Sequence, residues 1–498
     1  MARIDEFLLW LRVDRSAAEP LAAQLAAALR SRILAGSLGA GEPLPPSREL
    51  AASLGIARSV VVRAYEQLLG EGYLESRSGS ATRVASGIIP APDRPSSALP
   101  ASQAQTLPDL DASGPAPIDL RTGNPFVPAE PPTDWRRAVA SAARRPLSSY
   151  APPPLGEPAL REAIATHLRR ARGLACSPDD VIITAGTADA LLTVGLALGG
   201  GTRVAMEDPG YPEAGRALRR AGLELLPIPV SAEGVERATL ARLSPTPGAV
   251  LVTPSHQFPL GGRMPAAERT ALVAWAAARG AVVIEDDYDS EFRHTGPALP
   301  AIAALDPGGV VAHLGSLNKT ISPSIRCGYV VATSGSRLHA SLVATRSDIG
   351  GSTPALTQYA LAEFFATGAY QRYLARTKRE YRHRREILLS AVARLGWSDH
   401  LSATDGGLHA VLRLPRGMTG TELVARLRSR NVLVESITEF VMTSAGAGSR
   451  RTAPPPLDEA ITIGYGAEAT HRLQRGIDEI ARTIGEISRE TRASRDSA

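Results

Sequence analysis

The sequence predicts a multidomain chain: a small helical head closed by a β-hairpin, a linker, and a large α/β domain with a smaller C-terminal lobe. Three observations carry this. Between residues 20 and 70 apolar residues recur at helical spacing, punctuated by Pro and Gly. Residues 86–117 are rich in Pro, Ala and Ser and have no usable period. From residue 118 onward, strand-length apolar runs alternate with helical segments. At 498 residues the chain has room for about three domain-sized units, beyond what one core supports. With 44% hydrophobic and 21% charged residues the composition is that of a folded globular protein.

In the head, PLAAQLAAALRSRILAG places Leu21, Leu25, Leu29 and Ile33 on one face, with Pro20 at the start and Gly36 at the stop. After LGAGEPLPP, a second helix reads SRELAASLG, with Ser47 suited to the N-cap and Gly55 to the C-terminal stop. Two residues later a third helix begins, burying Val61, Tyr65 and Leu68 and ending near Gly70. GYLESRSGSATRVA then gives two short strands around a Ser-Gly-Ser turn. Three helices, a tight turn between the second and third, and a hairpin make residues 1–85 a winged helix-turn-helix.

The linker, residues 86–117, is semi-extended, and at about 3.3 Å per residue its reach approaches about 100 Å. In residues 118–498 the strands VIITAG, RVAMED, LELLPIPV, AVLVTPS, AVVIEDD, VVAHLGS and GYVVA alternate with helices, the first ending at Leu198, another running from Pro212 to Gly222 and a third through Ala278. Such alternation predicts a mostly parallel sheet covered on both faces. Long Arg-rich helices follow from about Ala360, and then LHAVLRL, as a smaller lobe.

The residues able to do chemistry fall at strand ends, where ligands of such sheets bind. VVIEDDYDSEF delivers Asp286 and Tyr288; HLGSLNKTISPSIRCGY delivers Ser316, Lys319 and Arg326. Together they suit pyridoxal phosphate: Asp286 for the pyridine nitrogen, Tyr288 for the ring hydroxyl, Lys319 for the aldehyde, Ser316 and Arg326 for the phosphate. The plainer readings are a solvated Lys/Arg pair and a strand-end turn. Against them, lysine is very scarce and Lys319 lies between two apolar runs. TAGTADALL offers Gly186, Thr187 and Ala188 where a strand opens into a helix, so backbone amides and one hydroxyl can cradle phosphate. His256 and Gln257, in TPSHQFPLGG, end another strand within reach of the ring hydroxyl or an amine adduct.

The large domain resembles the fold-type I aminotransferases, EDDYDSEF resembles the MocR family of transcription factors, and LPPSRELAASLGIARSVVVRAYEQLLGEGYLESRSGSATRV resembles the GntR superfamily head. The resemblance implies that the third helix enters the DNA major groove. Ser47 and Arg48 then meet phosphates, Arg58 and Ser59 start the recognition helix, and Arg77 with Gly79 form the wing. It also implies that Tyr211 lies close to the cofactor. Tyr150 corresponds to the tyrosine that crosses to the partner's phosphate, and the dimer is head-to-tail with swapped heads. The departures are Ala57, Val60 and Arg83 in the head, where the family has Ser, Thr and an aromatic, and Asn318 before the lysine, where Ser is usual. Thr462, in AITIGYG, stands where relatives carry an Arg that clamps a substrate carboxylate. Arg450 and Arg451, in the nearby loop SAGAGSRRTAPPP, are the candidates to replace it.

The formal charge of +5 permits nucleic-acid binding without demanding it, and residues 1–85 hold ten Arg, no Lys and nine acids, so DNA contacts rest on placed residues. Two cysteines, Cys176 and Cys327, give neither a disulfide framework nor a metal-ligand spacing, and no apolar run approaches about 18 residues. The expectation is a cytoplasmic PLP-dependent regulator of double-stranded DNA. Its effector is PLP itself, an amine or an amino acid, with PLP favoured by Thr462, as in family members that control vitamin B6 synthesis. The alternatives are a working aminotransferase with an accessory head, and a PLP reservoir with a vestigial one.

Overall fold

The computed structural model describes residues 13–76, 81–87, 116–235, 237–295, 299–442 and 459–496, and forms two compact units, Met1–Ser113 and Gly114–Ala498. The first contains helices α1 (Leu21–Leu34), α2 (Ser47–Leu54) and α3 (Arg58–Gly70) and strands β1 (Leu74–Glu75) and β2 (Arg83–Val84), paired antiparallel. Leu25, Leu29, Leu50, Val61 and Leu68 are fully buried in one core with Leu74 and Val84 of the hairpin. Gly55 closes α2 at φ +62, a left-handed position that a side chain rarely adopts. Ser47 is not the N-cap of α2: Pro46 precedes the helix and Ser47 is its first residue, its hydroxyl accepting from Arg58 Nε at 3.3 Å instead.

The second unit begins with β3 (Ile118–Asp119), α4 (Thr133–Ala143) and α5 (Pro158–Arg172). Its large sheet is built from β4 (Val181–Thr184), α6 (Thr187–Leu198), β5 (Arg203–Asp208), α7 (Pro212–Arg220), β6 (Glu224–Ser231), β7 (Gly234–Val235), α8 (Arg237–Arg242), β8 (Ala249–Val252), α9 (Ala266–Arg279), β9 (Val282–Asp287), β10 (Val311–Ser316) and β11 (Gly328–Val331). The order is β4-β11-β10-β9-β8-β5-β6-β7, parallel except where β11 and β7 meet their neighbours. The segment from β10 to β11 carries Lys319 and Arg326 and is too short for a parallel crossover, so β11 must turn back. On β9, Val283 packs among Leu272 and Ala276 of α9, and Ile284 among Ala190, Leu191 and Val194 of α6. Both faces are thus covered, which is why these strands read as apolar runs without alternation.

The C-terminal part follows as α10 (Arg337–Ile349), α11 (Ala355–Ala366), α12 (Ala369–Arg394), β12 (Leu401–Ser402), β13 (His409–Arg413), α13 (Gly420–Ser429), β14 (Val432–Leu433), β15 (Glu435–Ser436), β16 (Ala460–Gly464) and α14 (Thr470–Asp496). A four-stranded antiparallel sheet, β12-β13-β16-β15, forms the smaller lobe, and β14 pairs with β3. Among the described residues, no helix is long and apolar enough to cross a membrane.

Candidate cofactor site and DNA-binding head

The run from Glu285 to Glu291 holds five carboxylates, and strand alternation sorts them. Glu285 lies directly opposite His313 on β10, 3.0 Å from its Nδ1, and also accepts the Ile302 and Ala303 amides. Asp287, on the same face, pairs with buried Arg172 at 2.9 Å. Past the strand, Asp289 meets His256 at 2.7 Å, and Glu291 meets His167 at 2.7 Å and Lys378 at 3.5 Å. Asp286 alone points the other way, and its Oδ1 is buried without a hydrogen-bond partner. Burial, reinforced by Asp287 and Asp289, raises its pKa to about 7. An uncompensated buried carboxylate fits a protonated ring nitrogen, which would offset that desolvation cost.

Lys319, one of two lysines in the chain, lies close enough to Asp286 for each to act on the other's charge, and its Nζ donates to the Gly123 carbonyl. Burial lowers its pKa, with Asp286 partly offsetting this. A desolvated amine is the more readily neutral, which is the state that attacks a carbonyl. Ser316, at the end of β10, accepts from the Asn318 amide at 3.2 Å. Asn318 turns its Oδ1 to the Cys327 amide at 3.0 Å, and its Nδ2 faces Gly186, where an added Cβ would come within 2.5 Å. Gly186, at φ +111, leads into α6, so the first-turn amides of Thr187 and Ala188 have no carbonyl a turn earlier to bind. Arg326 stands at the start of β11 with φ +49 and is exposed, close enough to Tyr211 to act on its ionisation. The first-turn amides, the hydroxyl of Ser316 and the guanidinium of Arg326 are the donor set a phosphate requires.

His256 Nδ1 lies 3.1 Å from Tyr288 Oη as well as 2.7 Å from Asp289. Burial opposes protonation of this histidine, but Asp289 outweighs it and raises the pKa. Tyr288 and Tyr211 both pack edge-on against Phe258, with centroids 5.8 and 5.7 Å away. Gln257 does not reach the ring side. Its amide is spent on Glu207, the Pro209 and Phe258 carbonyls and the Leu260 amide, so it shapes the loop instead. Tyr150 is 86% exposed, beside Leu147, which is fully exposed.

In the smaller lobe Thr462 is fully buried, directly opposite both Val411 and Glu435. Glu435 accepts the amide and hydroxyl of Thr122, each at 2.7 Å, and Thr122 precedes Gly123, the acceptor for Lys319. Arg450 and Arg451 lie outside the described residues, as do Arg77 and Gly79 of the wing. In the head, Arg48, Arg58 and Ser59 are exposed at the starts of α2 and α3, and Ser47 is half-buried. Arg83 is also exposed, its Nη1 donating to the Gly41 carbonyl at 2.9 Å.

Sequence reasoning missed Arg172, Asp289, Gly123 and Glu435. The period of two along β9 was the available signal for Arg172, since it separates Asp287 from Asp286. Gly123 and Glu435 are distant in sequence from Lys319, and no spacing rule joins them.

Comparison with known proteins covers both units of the chain. Residues 115–460 match the family "Aminotransferase class I and II", and residues 21–84 match "Bacterial regulatory proteins, gntR family". The chain is 36% identical over 464 residues to the HTH-type pyridoxine biosynthesis transcriptional regulator PdxR of Corynebacterium glutamicum, covering 93% of this chain and 95% of that one. It is 33% identical over 492 residues to the probable rhizopine catabolism regulatory protein MocR of Rhizobium meliloti, covering 94% and 95%. Among solved structures, an archaeal alanine:glyoxylate aminotransferase shares the fold at TM-score 0.66 and 23% identity, covering 75% of this chain and 92% of that one. The Thermus thermophilus α-aminoadipate aminotransferase LysN does so at 0.63 and 26%, covering 74% and 92%. The chain belongs to the MocR subfamily of GntR transcription regulators, in which a GntR winged helix-turn-helix precedes a class I/II aminotransferase domain that binds pyridoxal phosphate.

Proposed function

We propose that the aminotransferase domain is the sensor of this regulator and that its signal is pyridoxal phosphate itself, as the pyridoxine-related name of one relative suggests. The observation that carries this is Asp286, a buried carboxylate without a partner beside a lysine whose charged form burial disfavours. When bound, the cofactor supplies an electrophilic aldehyde and an electron-withdrawing ring. The chain's residues do the rest. Asp286 would hold the proton on the ring nitrogen, Tyr288, positioned by His256, would bond the ring hydroxyl, and Lys319 would be the amine that takes the aldehyde. Gly186, Thr187, Ala188, Ser316, Asn318 and Arg326 would hold the phosphate, with Tyr150 contributed by the partner of a head-to-tail homodimer and Tyr211 on the ring side. Binding changes how the heads are presented to an operator read by Ser47, Arg48, Arg58, Ser59, Arg77 and Gly79. The protein acts in the cytoplasm.

Thr462 favours this reading over a working aminotransferase, because it offers no fork for a substrate carboxylate and has Glu435 at its side. The test is a spectroscopic titration of the full chain with pyridoxal phosphate, then with amines and amino acids, beside Lys319→Ala and in the presence of the DNA upstream of its own gene. A visible band lost in Lys319→Ala, with DNA affinity that changes on addition of the cofactor alone, supports the reading. Sustained consumption of an amino acid without a DNA response overturns it in favour of an enzyme.

A further inference from the structure

The short connection between α10 and α11, residues 350–354, is tied to the phosphate cradle through two hydroxyls. Thr353 is 3% exposed, although Ser352 and Pro354 on either side of it are exposed. Its Oγ1 lies 3.0 Å from the Thr184 carbonyl and 3.4 Å from the Arg326 carbonyl. A hydroxyl has one proton to give, so it is shared between the two. Thr184 ends β4 two residues before Gly186, and Arg326 stands two residues before Gly328, the partner of Thr184 across the β4–β11 pair. One buried side chain thus joins the two segments from which the cradle is built. Ser352 Oγ donates to Asp189 Oδ2 at 2.6 Å, and the same oxygen accepts the Ala185 amide and Arg346 Nη2, each at 2.9 Å. Arg346, 1% exposed, therefore offsets a carboxylate in the first turn of α6 that would otherwise oppose a phosphate there.

Thr353 is itself held in place. Gln358, 1% exposed, donates Nε2 to the Thr353 carbonyl at 2.8 Å and accepts the Glu157 amide at 2.7 Å. The backbone that receives the hydroxyl is unusual. Arg326 has φ +49 and ψ +54, a left-handed conformation that residues with a side chain seldom adopt. Among the described residues, Ala403 and Asn431 are the other non-glycines with positive φ. Such a conformation persists where its surroundings over-determine it. Here the Cys327 amide is bound by Asn318 Oδ1 and the Cys327 carbonyl by the Leu317 amide, both at 3.0 Å, while the Arg326 carbonyl accepts from Thr353.

We propose that Thr353 is a positioning residue for the cofactor's phosphate: its hydroxyl fixes the backbone at Thr184 and Arg326, and so sets the preference of the site for pyridoxal phosphate over unphosphorylated pyridoxal. The inference rests on the reading that Arg326 and the first-turn amides of α6 take the phosphate. Thr353 bonds the backbone of that cradle, whereas Lys319 and Asp286 serve the aldehyde and the ring nitrogen, which the two compounds share. Loss of the hydroxyl therefore falls on the part of the ligand that only one of them has.

The experiment titrates the full chain with pyridoxal phosphate and, separately, with pyridoxal, following the visible absorbance, and compares the ratio of the two affinities. Wild type is set beside Thr353→Val, which keeps the shape and removes the hydroxyl, Thr353→Ser, which restores it, and Arg326→Ala. Thr353→Ala takes the place of the valine variant if the second methyl does not fit. The expected result is a ratio lowered at least about threefold in Thr353→Val, the range of one hydrogen bond, recovered in Thr353→Ser, and lowered further in Arg326→Ala. A general loss of fold weakens both ligands alike and leaves the ratio where it was, which overturns the inference. An unmoved ratio in Thr353→Val beside a lowered one in Arg326→Ala overturns the role of Thr353 and leaves the phosphate reading standing, as does a serine variant no better than valine. An unmoved ratio in Arg326→Ala overturns the phosphate reading of Arg326, and the role of Thr353 with it.

Discussion

Thr462 and Glu435 stand directly opposite each other on the antiparallel pair β15–β16, so that a buried hydroxyl and a carboxylate share one face of the smaller lobe. Side chains so placed have Cβ atoms about 5 Å apart. Glu435 is held by both donors of Thr122, one residue from the carbonyl that Lys319 binds. A ligand carboxylate brought to this wall meets a negative charge instead of a clamp.

A gain of amino-acid response should therefore need two changes. The guanidinium introduced by Thr462→Arg is captured by Glu435, so the single variant responds to L-alanine no better than wild type. Thr462→Arg combined with Glu435→Gln frees that guanidinium, and the bound cofactor's absorbance should then respond to L-alanine at concentrations at least about tenfold lower, the range of one charge-assisted pair. Equal behaviour of the single and double variants would remove Glu435 from the argument.

Asp286 sets a pH dependence in the cofactor-free protein. Its pKa is raised from 3.8 to about 7, chiefly by burial, so the native state keeps a proton that the unfolded chain has already lost. Native stability should then fall as pH rises from about 4 to about 7, by on the order of a few kcal/mol. Asp286→Asn removes its share of that slope, which thermal unfolding across the window will show. The same substitution should weaken pyridoxal phosphate binding by more than about tenfold.

Arg172 and Asp287 are each 4% exposed at the side chain and form a buried ion pair behind the cofactor wall. Arg172→Ala strands a buried carboxylate and should cost about 3–5 kcal/mol in denaturant unfolding of the second unit. Replacing both, Arg172→Met with Asp287→Leu, should recover most of that loss.

In the head, Arg58 is exposed at the start of α3, whereas Leu68 is fully buried. Arg58→Ala should leave the head folded and weaken operator binding by about 1–3 kcal/mol. Leu68→Ala should cost about 2–5 kcal/mol of head stability. Circular dichroism of the two variants beside DNA titration separates loss of reading from loss of fold.

By itself the sequence determined the order of elements, the winged head, the strand ends and the identity of the lysine, aspartate and tyrosine placed there. These are local properties: period, Pro and Gly punctuation, and the residue types that stand at the strand ends. The register of Ser47 at α2 escaped it by one position, because Pro46 and Ser47 are both good helix starters. Only the tertiary structure decided which of five neighbouring carboxylates stays unpaired, since that depends on Arg172, His313, His256 and His167 arriving from other segments. It also decided that Gln257 serves its loop, that Gly123 holds Lys319 and that Glu435 flanks Thr462. These pairings join residues as much as 196 positions apart, and only tertiary packing brings them within bonding distance.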